Sequence, residues 1–148
     1  MNIIRLVSLF ALGVVLALAV QACGGSGPEP INYGHDQCGH CRMTVSDTRF
    51  GCQLATTKGR AYNFDDVQCM VAFVKAGNVA QEEVAAYYLP DYTNADKLLP
   101  SDGLFFLKSE SLKSPMRGDV AAFATREELA KVQEALGGEE LTWEDLWK

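Results

Sequence analysis

One order of secondary-structure signals occurs twice along the chain, and this repeat constrains the fold more than any other feature of the sequence. The segments "RFGCQLATT" and "RAYNF" are β-prone and flank a Lys-Gly turn, which predicts a hairpin. The next segment, "VQCMVAFVKAG", is apolar on nearly all sides and predicts a buried helix that ends at Gly77. A third strand is predicted in "EEVAAYYLPDY", ending near Pro90.

The second round follows the same order. Strands are predicted in "GLFFLKS" and "VAAFA", joined by the loop "ESLKSPMRGD". Thr125 and Glu128 form a capping box before a helix that stops at a Gly-Gly pair, and "ELTW" and "EDLWK" predict a last short strand and a helical turn. We therefore predict an α+β fold of two similar strand-strand-helix-strand halves, at about 34–94 and 95–148.

The first 22 residues predict an export signal. They carry one positive charge, at Arg5, before an apolar run that extends to Val20 without an acidic residue. This run is shorter than the roughly 20 residues that span a bilayer comfortably. It ends in "VQAC", which resembles the lipobox of bacterial lipoproteins, in which Cys23 becomes the lipidated first residue of the mature chain. An uncleaved anchor helix with an incidental cysteine is the alternative.

Residues 23–33 are rich in Gly and Pro and predict a flexible tether between the lipid and a folded domain at 34–148. The chain has a formal net charge of −6, which becomes −7 when the signal and its one cation are removed. This acidic balance disfavours nucleic acid, which requires a basic surface. We expect an exported protein that is attached to the cell envelope through its lipid alone.

The loop "DQCGHCRMTVSD" concentrates soft-ligand chemistry. Two thiols, an imidazole and a thioether lie between Cys38 and Met43. A methionine sulfur favours monovalent copper, because zinc sites use Cys, His and carboxylates instead. In an extended loop Cys41 and Met43 point the same way, and a turn brings Cys38 beside them. The pattern predicts an open copper(I) site at Cys38, Cys41 and Met43, to which His40 either contributes or stays solvated.

Other uses of the same loop remain open. Cys38 and Cys41 suit an exported thiol-disulfide oxidoreductase or a structural disulfide, since the compartment is oxidising. A thioredoxin-type motif, however, follows a strand and opens a helix, whereas this loop follows a tether and precedes a strand. Structural zinc would need Cys38, Cys41, His35 and His40 together.

The remaining cysteines give a weaker signal. Cys69 and Met70 lie on the helix that is predicted to be buried, and Cys52 lies on a strand, so all three are interpreted as core residues. After lipidation the chain keeps four thiols, which allow three disulfide pairings. No Ser-His-Asp set, phosphate-binding loop or paired carboxylate stands out, and the protein is predicted not to be an enzyme.

Three segments together resemble the NosL family of nitrous oxide reductase accessory lipoproteins. They are the "CGHCRM" loop after a lipoprotein signal, the helix start "FDDVQCM", and "SPMRGDVAAFATREELAKVQEALGG". The resemblance extends over most of residues 34–147. It implies a fold similar to that of the organomercurial lyase MerB and a copper-binding role, on the periplasmic side or the outer surface, in assembling the copper centres of nitrous oxide reductase.

The resemblance also implies ligands. The family motif Cys-x-x-Cys-x-Met coincides with Cys38, Cys41 and Met43, and "SPM" makes Met116 a second family-type methionine. Arg42 stands where many members have glycine, and a cation there would either lower the pKa of Cys41 or crowd the metal. The sequence as a whole predicts a lipid-anchored copper(I) carrier that passes its ion to a protein partner by ligand exchange.

Overall fold

The first sheet contains the predicted hairpin. In the computed structural model, which describes residues 27–148, β1 (Cys52–Thr56) pairs antiparallel with β2 (Ala61–Phe64). The other edge of β1 pairs with β3 (Val84–Asp91), which in turn pairs with β4 (Asn94–Pro100). The strand order is β2-β1-β3-β4. The predicted signal peptide and Cys23 lie outside the described residues.

Helix α1 (Val67–Lys75) connects β2 to β3 and buries most of its surface, as its composition predicts. Asp66 caps its first turn by accepting a hydrogen bond from the backbone N–H of Cys69 at 3.1 Å. Gly77, with a φ of 76°, follows the last turn in the left-handed conformation that glycine adopts without steric cost. Both ends of the helix are therefore determined by local sequence.

The second sheet repeats this topology. It contains β5 (Phe105–Lys108), β6 (Val120–Phe123) and β7 (Glu139–Leu141) in the order β6-β5-β7, and α2 (Arg126–Leu136) connects β6 to β7. Thr125 accepts a hydrogen bond from the N–H of Glu128, as the capping-box pattern predicts. The α+β fold with two similar halves is confirmed.

The structure adds one strand that the sequence analysis did not predict. β4 falls where the chain passes from the first half to the second, and within residues 27–148 it pairs only with β3. Asp96 and Lys97 are exposed on it, which is common on edge strands because charge discourages further pairing. The same polarity removes the apolar alternation by which strands are recognised. The predicted terminal turn is a short 3₁₀ helix, Glu144–Trp147, and another, Gln81–Glu83, precedes β3.

The two halves share the larger of two buried core clusters. Phe106 of β5 and Ala122 of β6 lie in the same buried cluster as Leu54, Phe64 and Met70 of the first half. A backbone hydrogen bond of 2.8 Å from the N–H of Tyr92 to the carbonyl of Ala122 joins the halves directly. Among the described residues, none of the helices has the length and apolar character needed to span a membrane.

Candidate metal centre

The cysteine loop folds back on itself. The N–H of Cys38 donates to the carbonyl of Met43 at 2.8 Å, and the N–H of Arg42 donates to the carbonyl of Cys38 at 3.1 Å. Gly39 anchors the loop to the end of β2 through a 2.7 Å hydrogen bond to the carbonyl of Asn63. This turn places Cys38 and Cys41 on the side that faces the body of the protein.

The loop meets the start of helix α1. The Sγ atoms of Cys38, Cys41 and Cys69 and one carboxylate oxygen of Asp65 all lie within 4.8 Å of one another. Asp65 directly follows β2, and Cys69 lies in the first turn of α1. The antiparallel hairpin brings this strand-to-helix junction beside the loop, and the four side chains define what we call the thiol cluster.

Three of the four residues of the thiol cluster are buried. Cys38, Asp65 and Cys69 are at most 2% exposed, whereas Cys41 is partly exposed. Cys41 is therefore the member of the cluster that solvent reaches most easily. Its Sγ–H donates to Oδ2 of Asp65 at 3.5 Å.

The three thiols of the cluster have different acidities. A hydrogen bond donated by the Cys69 thiol lowers the pKa of Cys38 to about 6, against opposition from burial and with help from nearby backbone N–H groups. Burial raises the pKa of Cys41 to about 11, with further contributions from Cys38 and Asp65. The pKa of Cys69 is also raised, first by its hydrogen bond to Cys38 and then by burial. At neutral pH the cluster thus holds one thiolate and two thiols, and a bound metal would have to displace protons.

The sequence reasoning missed two residues of the thiol cluster, Asp65 and Cys69, and it interpreted Cys69 as a core residue. Cys69 is buried, as predicted for a core residue, but its sulfur belongs to the thiol cluster. The only hint in the sequence was its place in the "FDDVQCM" segment. Cys52, by contrast, is fully buried outside the cluster, and burial raises the pKa of its thiol. The four described cysteines, Cys38, Cys41, Cys52 and Cys69, form no disulfide with one another.

The other predicted ligands of the loop face outward. Met43 is 55% exposed, and His40 is exposed as well. Neither His40 nor His35 belongs to the thiol cluster, so the structure does not assemble the four-ligand zinc set that the sequence left open. The backbone of Met43 closes the loop, while its thioether stays accessible.

Arg42 does not lower the pKa of Cys41, which was one of the two effects expected from the sequence. The pKa of Cys41 is raised, because burial of the thiol dominates and Arg42 is not among the groups that shift it. The Arg42 side chain is exposed, and its backbone has a φ of 67°. A left-handed φ explains why glycine would suit this position.

The loop that carries Met116 docks on the same helix terminus. Oδ2 of Asp66 accepts hydrogen bonds from the Ser114 hydroxyl at 2.9 Å and from the N–H of Met116 at 3.1 Å. Oδ1 of Asp66 caps α1 at Cys69. Met116 is half-buried against the shared core. The "CGHC" loop of one half and the "SPM" loop of the other therefore converge on the single turn between Asp65 and Cys69.

The fold and the thiol cluster together define an α+β protein with a sulfur-rich candidate metal site at a strand-to-helix junction. Residues 31–148 match the family model NosL, so the chain belongs to the NosL family. The structure is similar to the crystal structure of the copper chaperone NosL from Shewanella denitrificans, with a TM-score of 0.68 and 16% sequence identity. The match covers 80% of this chain and 95% of that chain. Comparison with curated protein sequences finds no match.

Proposed function

We propose that this protein is a lipid-anchored copper(I) carrier that supplies copper for assembly of the copper centres of nitrous oxide reductase. The observation that carries the proposal is the convergence of three thiol sulfurs in a chain of the NosL family. Soft thiolate sulfur prefers monovalent copper. The similarity in fold to a copper chaperone supports the same reading.

Ligand exchange is the proposed mechanism. Copper(I) first binds the exposed thioether of Met43 and the partly exposed thiol of Cys41, and Cys38 then binds as a third ligand. Cys41 releases its proton to solvent as it binds. A partner protein that docks on this face replaces the ligands one at a time, beginning with those that solvent reaches. We propose that Met116, whose loop ends at the same helix terminus, is a further sulfur ligand during transfer.

The experiment that tests copper carriage compares ligand variants of the reduced protein in competition with a copper(I) chelator. Wild-type protein is expected to bind one copper(I) through sulfur, and Cys41→Ser to bind it more weakly than Met43→Leu or Met116→Leu. Met→Leu preserves volume and usually costs under about 1.5 kcal/mol of stability, so the melting temperatures of these two variants should change little. X-ray absorption that finds only nitrogen and oxygen around copper would refute the proposal.

The acceptor and the anchor need tests of their own. Copper-loaded protein is expected to raise the copper content of nitrous oxide reductase apoprotein, whereas Cys41→Ser protein should transfer less.

Cys23→Ser, at a position outside the described residues, should release the folded protein from the membrane fraction. If this variant stays in the membrane fraction and no partner protein retains it there, lipid anchoring is contradicted.

A thiol-disulfide oxidoreductase is the second candidate function. It is favoured by the lowered pKa of Cys38, since the thiolate is the nucleophile in disulfide exchange. Cys38 is fully buried, however, which restricts attack on a protein substrate. Rapid reduction of insulin disulfides by the wild-type protein, and none by Cys38→Ser, would favour this function over copper carriage.

A further inference from the structure

Gln53 is a polar side chain that is fully buried on β1. Its Oε1 accepts a hydrogen bond from the N–H of Glu29 at 2.8 Å, and its Nε2 donates to the carbonyl of Glu29 at 3.0 Å. Nε2 also donates to Oδ1 of Asn63 at 2.7 Å. A buried amide is costly unless it is hydrogen-bonded, so Gln53 holds the N-terminal segment in place.

The contact between Gln53 and Glu29 involves only the backbone of Glu29. One N–H and one carbonyl of the same residue are bound together, as in a hydrogen-bonded pair of an antiparallel sheet. The Glu29 side chain is exposed and takes no part in the contact. Gln53 therefore binds the chain at this position without selecting the side chain that it carries.

The segment after Glu29 is also attached to the domain. The N–H of Asn32 donates to Oδ2 of Asp36 at 2.9 Å. Ile31 and Tyr33 pack against the larger core cluster. The residues from Glu29 onward are therefore held against the domain, although the sequence predicts a flexible tether over 23–33.

Asn63 connects this attachment point to the cysteine loop. Its Nδ2 donates to Oδ2 of Asp36 at 2.9 Å, and its carbonyl accepts from the N–H of Gly39 at 2.7 Å. Glu29 and Gly39 line the same surface cleft. The chain that leads towards Cys23 therefore leaves the domain beside the cysteine loop.

We propose that Gln53 is a positioning residue that clamps the backbone of Glu29 and so keeps the cysteine loop close to the membrane surface. Cys23 lies six residues before Glu29 and nine before Asn32, the next attached residue. An extended chain spans at most about 3.3–3.6 Å per residue, so the clamp shortens the reach from about 30 Å to about 20 Å. The membrane distance rests on the lipid anchoring proposed above, whereas the clamp itself does not.

A shorter reach changes where copper is delivered. The effective concentration of two groups joined by a flexible linker falls roughly as the −3/2 power of linker length. Lengthening the free chain from six residues to nine should therefore lower the encounter of the cysteine loop with groups at the membrane surface about twofold. Encounter with groups in free solution does not depend on this length.

Hydrogen exchange of the full-length lipidated protein tests the clamp. Pro28 and Pro30 have no N–H, so the amide of Glu29 is observed without exchange from its immediate neighbours. Wild-type protein should protect this amide. Gln53→Leu should speed its exchange by about tenfold or more, the change expected when hydrogen bonds of ordinary strength are lost, while the amides of α1 stay protected.

Copper transfer on vesicles tests the reach. Copper-loaded protein is given a copper(I) chelator coupled to lipid headgroups or the same chelator free in solution, and the ratio of the two transfer rates is measured. Glu29→Pro removes the N–H that Gln53 binds and should lower this ratio about twofold. Glu29→Ala is the matched control, because it changes the exposed side chain but keeps the N–H, and its ratio should equal that of wild type.

A lengthened tether provides an independent comparison. Insertion of Gly-Ser-Gly after Gly25 adds three residues without touching the clamp, which gives the same free length as release of Glu29. This insertion should lower the ratio as Glu29→Pro does, while the Glu29 amide remains protected.

The outcomes separate the clamp from the proposed function. A Glu29 amide that exchanges freely in wild type, or unchanged in Gln53→Leu, overturns the clamp. A ratio that is unchanged in Glu29→Pro or in the insertion overturns the role of the clamp in reach. Absence of copper transfer to either chelator refutes the carrier, and absence of vesicle binding refutes the anchor, but exchange at Glu29 still decides the clamp. If circular dichroism shows that Gln53→Leu is unfolded, exchange at Ile31 in Glu29→Pro replaces it.

Discussion

Replacement of Asp66 by alanine should destabilise the protein severely, because this one carboxylate joins the two halves. Its Oδ1 caps α1 at Cys69, and its Oδ2 accepts from Ser114 and Met116 in the "SPM" loop. Loss of an N-cap costs about 0.5–2 kcal/mol. Each hydrogen bond to a charged group contributes about 1.5–3 kcal/mol.

These contributions share one side chain and do not simply add. We expect Asp66→Ala to lower the free energy of unfolding by about 3–5 kcal/mol, because the helix cap and two further buried hydrogen bonds are lost together. At this chain length that corresponds to a fall in melting temperature of about 12–20 °C. Urea unfolding of the reduced, metal-free protein, followed by circular dichroism, measures the loss.

Two further variants make the result interpretable. Ser114→Ala removes one of the three hydrogen bonds to Asp66, together with the one that the hydroxyl accepts from the N–H of Asp119, and should cost about 1.5–3 kcal/mol. This variant keeps the reasoning testable if Asp66→Ala does not fold. Asp96→Ala, on the exposed edge strand β4, should stay within about 0.5 kcal/mol of wild type. A loss below about 1 kcal/mol for Asp66→Ala, less than a single charged hydrogen bond is worth, would show that Asp66 does not hold the two halves together.

Three other changes have defined outcomes. Arg42→Gly should raise the free energy of unfolding in urea by about 0.5 kcal/mol, because removing the strain of a left-handed arginine outweighs the conformational entropy that glycine loses on folding. A clear loss of stability would mean that the exposed side chain makes stabilising contacts. Copper(I) affinity should rise about tenfold per pH unit between about pH 7 and 9, since Cys41 must release a proton while Cys38, with a pKa of about 6, is already ionised in this range. A flat profile from chelator competition would argue against Cys41 as a ligand. Gly138→Ala should cost more than about 1 kcal/mol in thermal unfolding, because the φ is 115° and the new Cβ would clash with the carbonyl oxygen of Lys108. Wild-type stability would show that this turn can relax.

Local signals in the sequence were sufficient for most of the fold. The β1–β2 hairpin, both helices and their caps at Asp66 and Thr125 depend on residues within a few positions of one another, and the structure contains all of them. β4 was not predicted because an exposed edge strand needs no apolar face, so its sequence shows no alternation of apolar and polar residues. Its existence depends on pairing with β3, which is a tertiary contact.

The candidate site divides in the same way. The sequence by itself determined that Cys38, Cys41 and Met43 share one turn, because their spacing is short and the loop closes on its own backbone. Tertiary structure decided that Met43 faces solvent and that Cys69 and Asp65 face the two loop cysteines. These contacts join residues more than 20 positions apart in the chain, and they exist because β2 runs antiparallel to β1 and delivers the start of α1 to the loop. The physical reason is that spacing controls only neighbours along the backbone, whereas pairing of strands and burial of a shared core control which distant side chains meet.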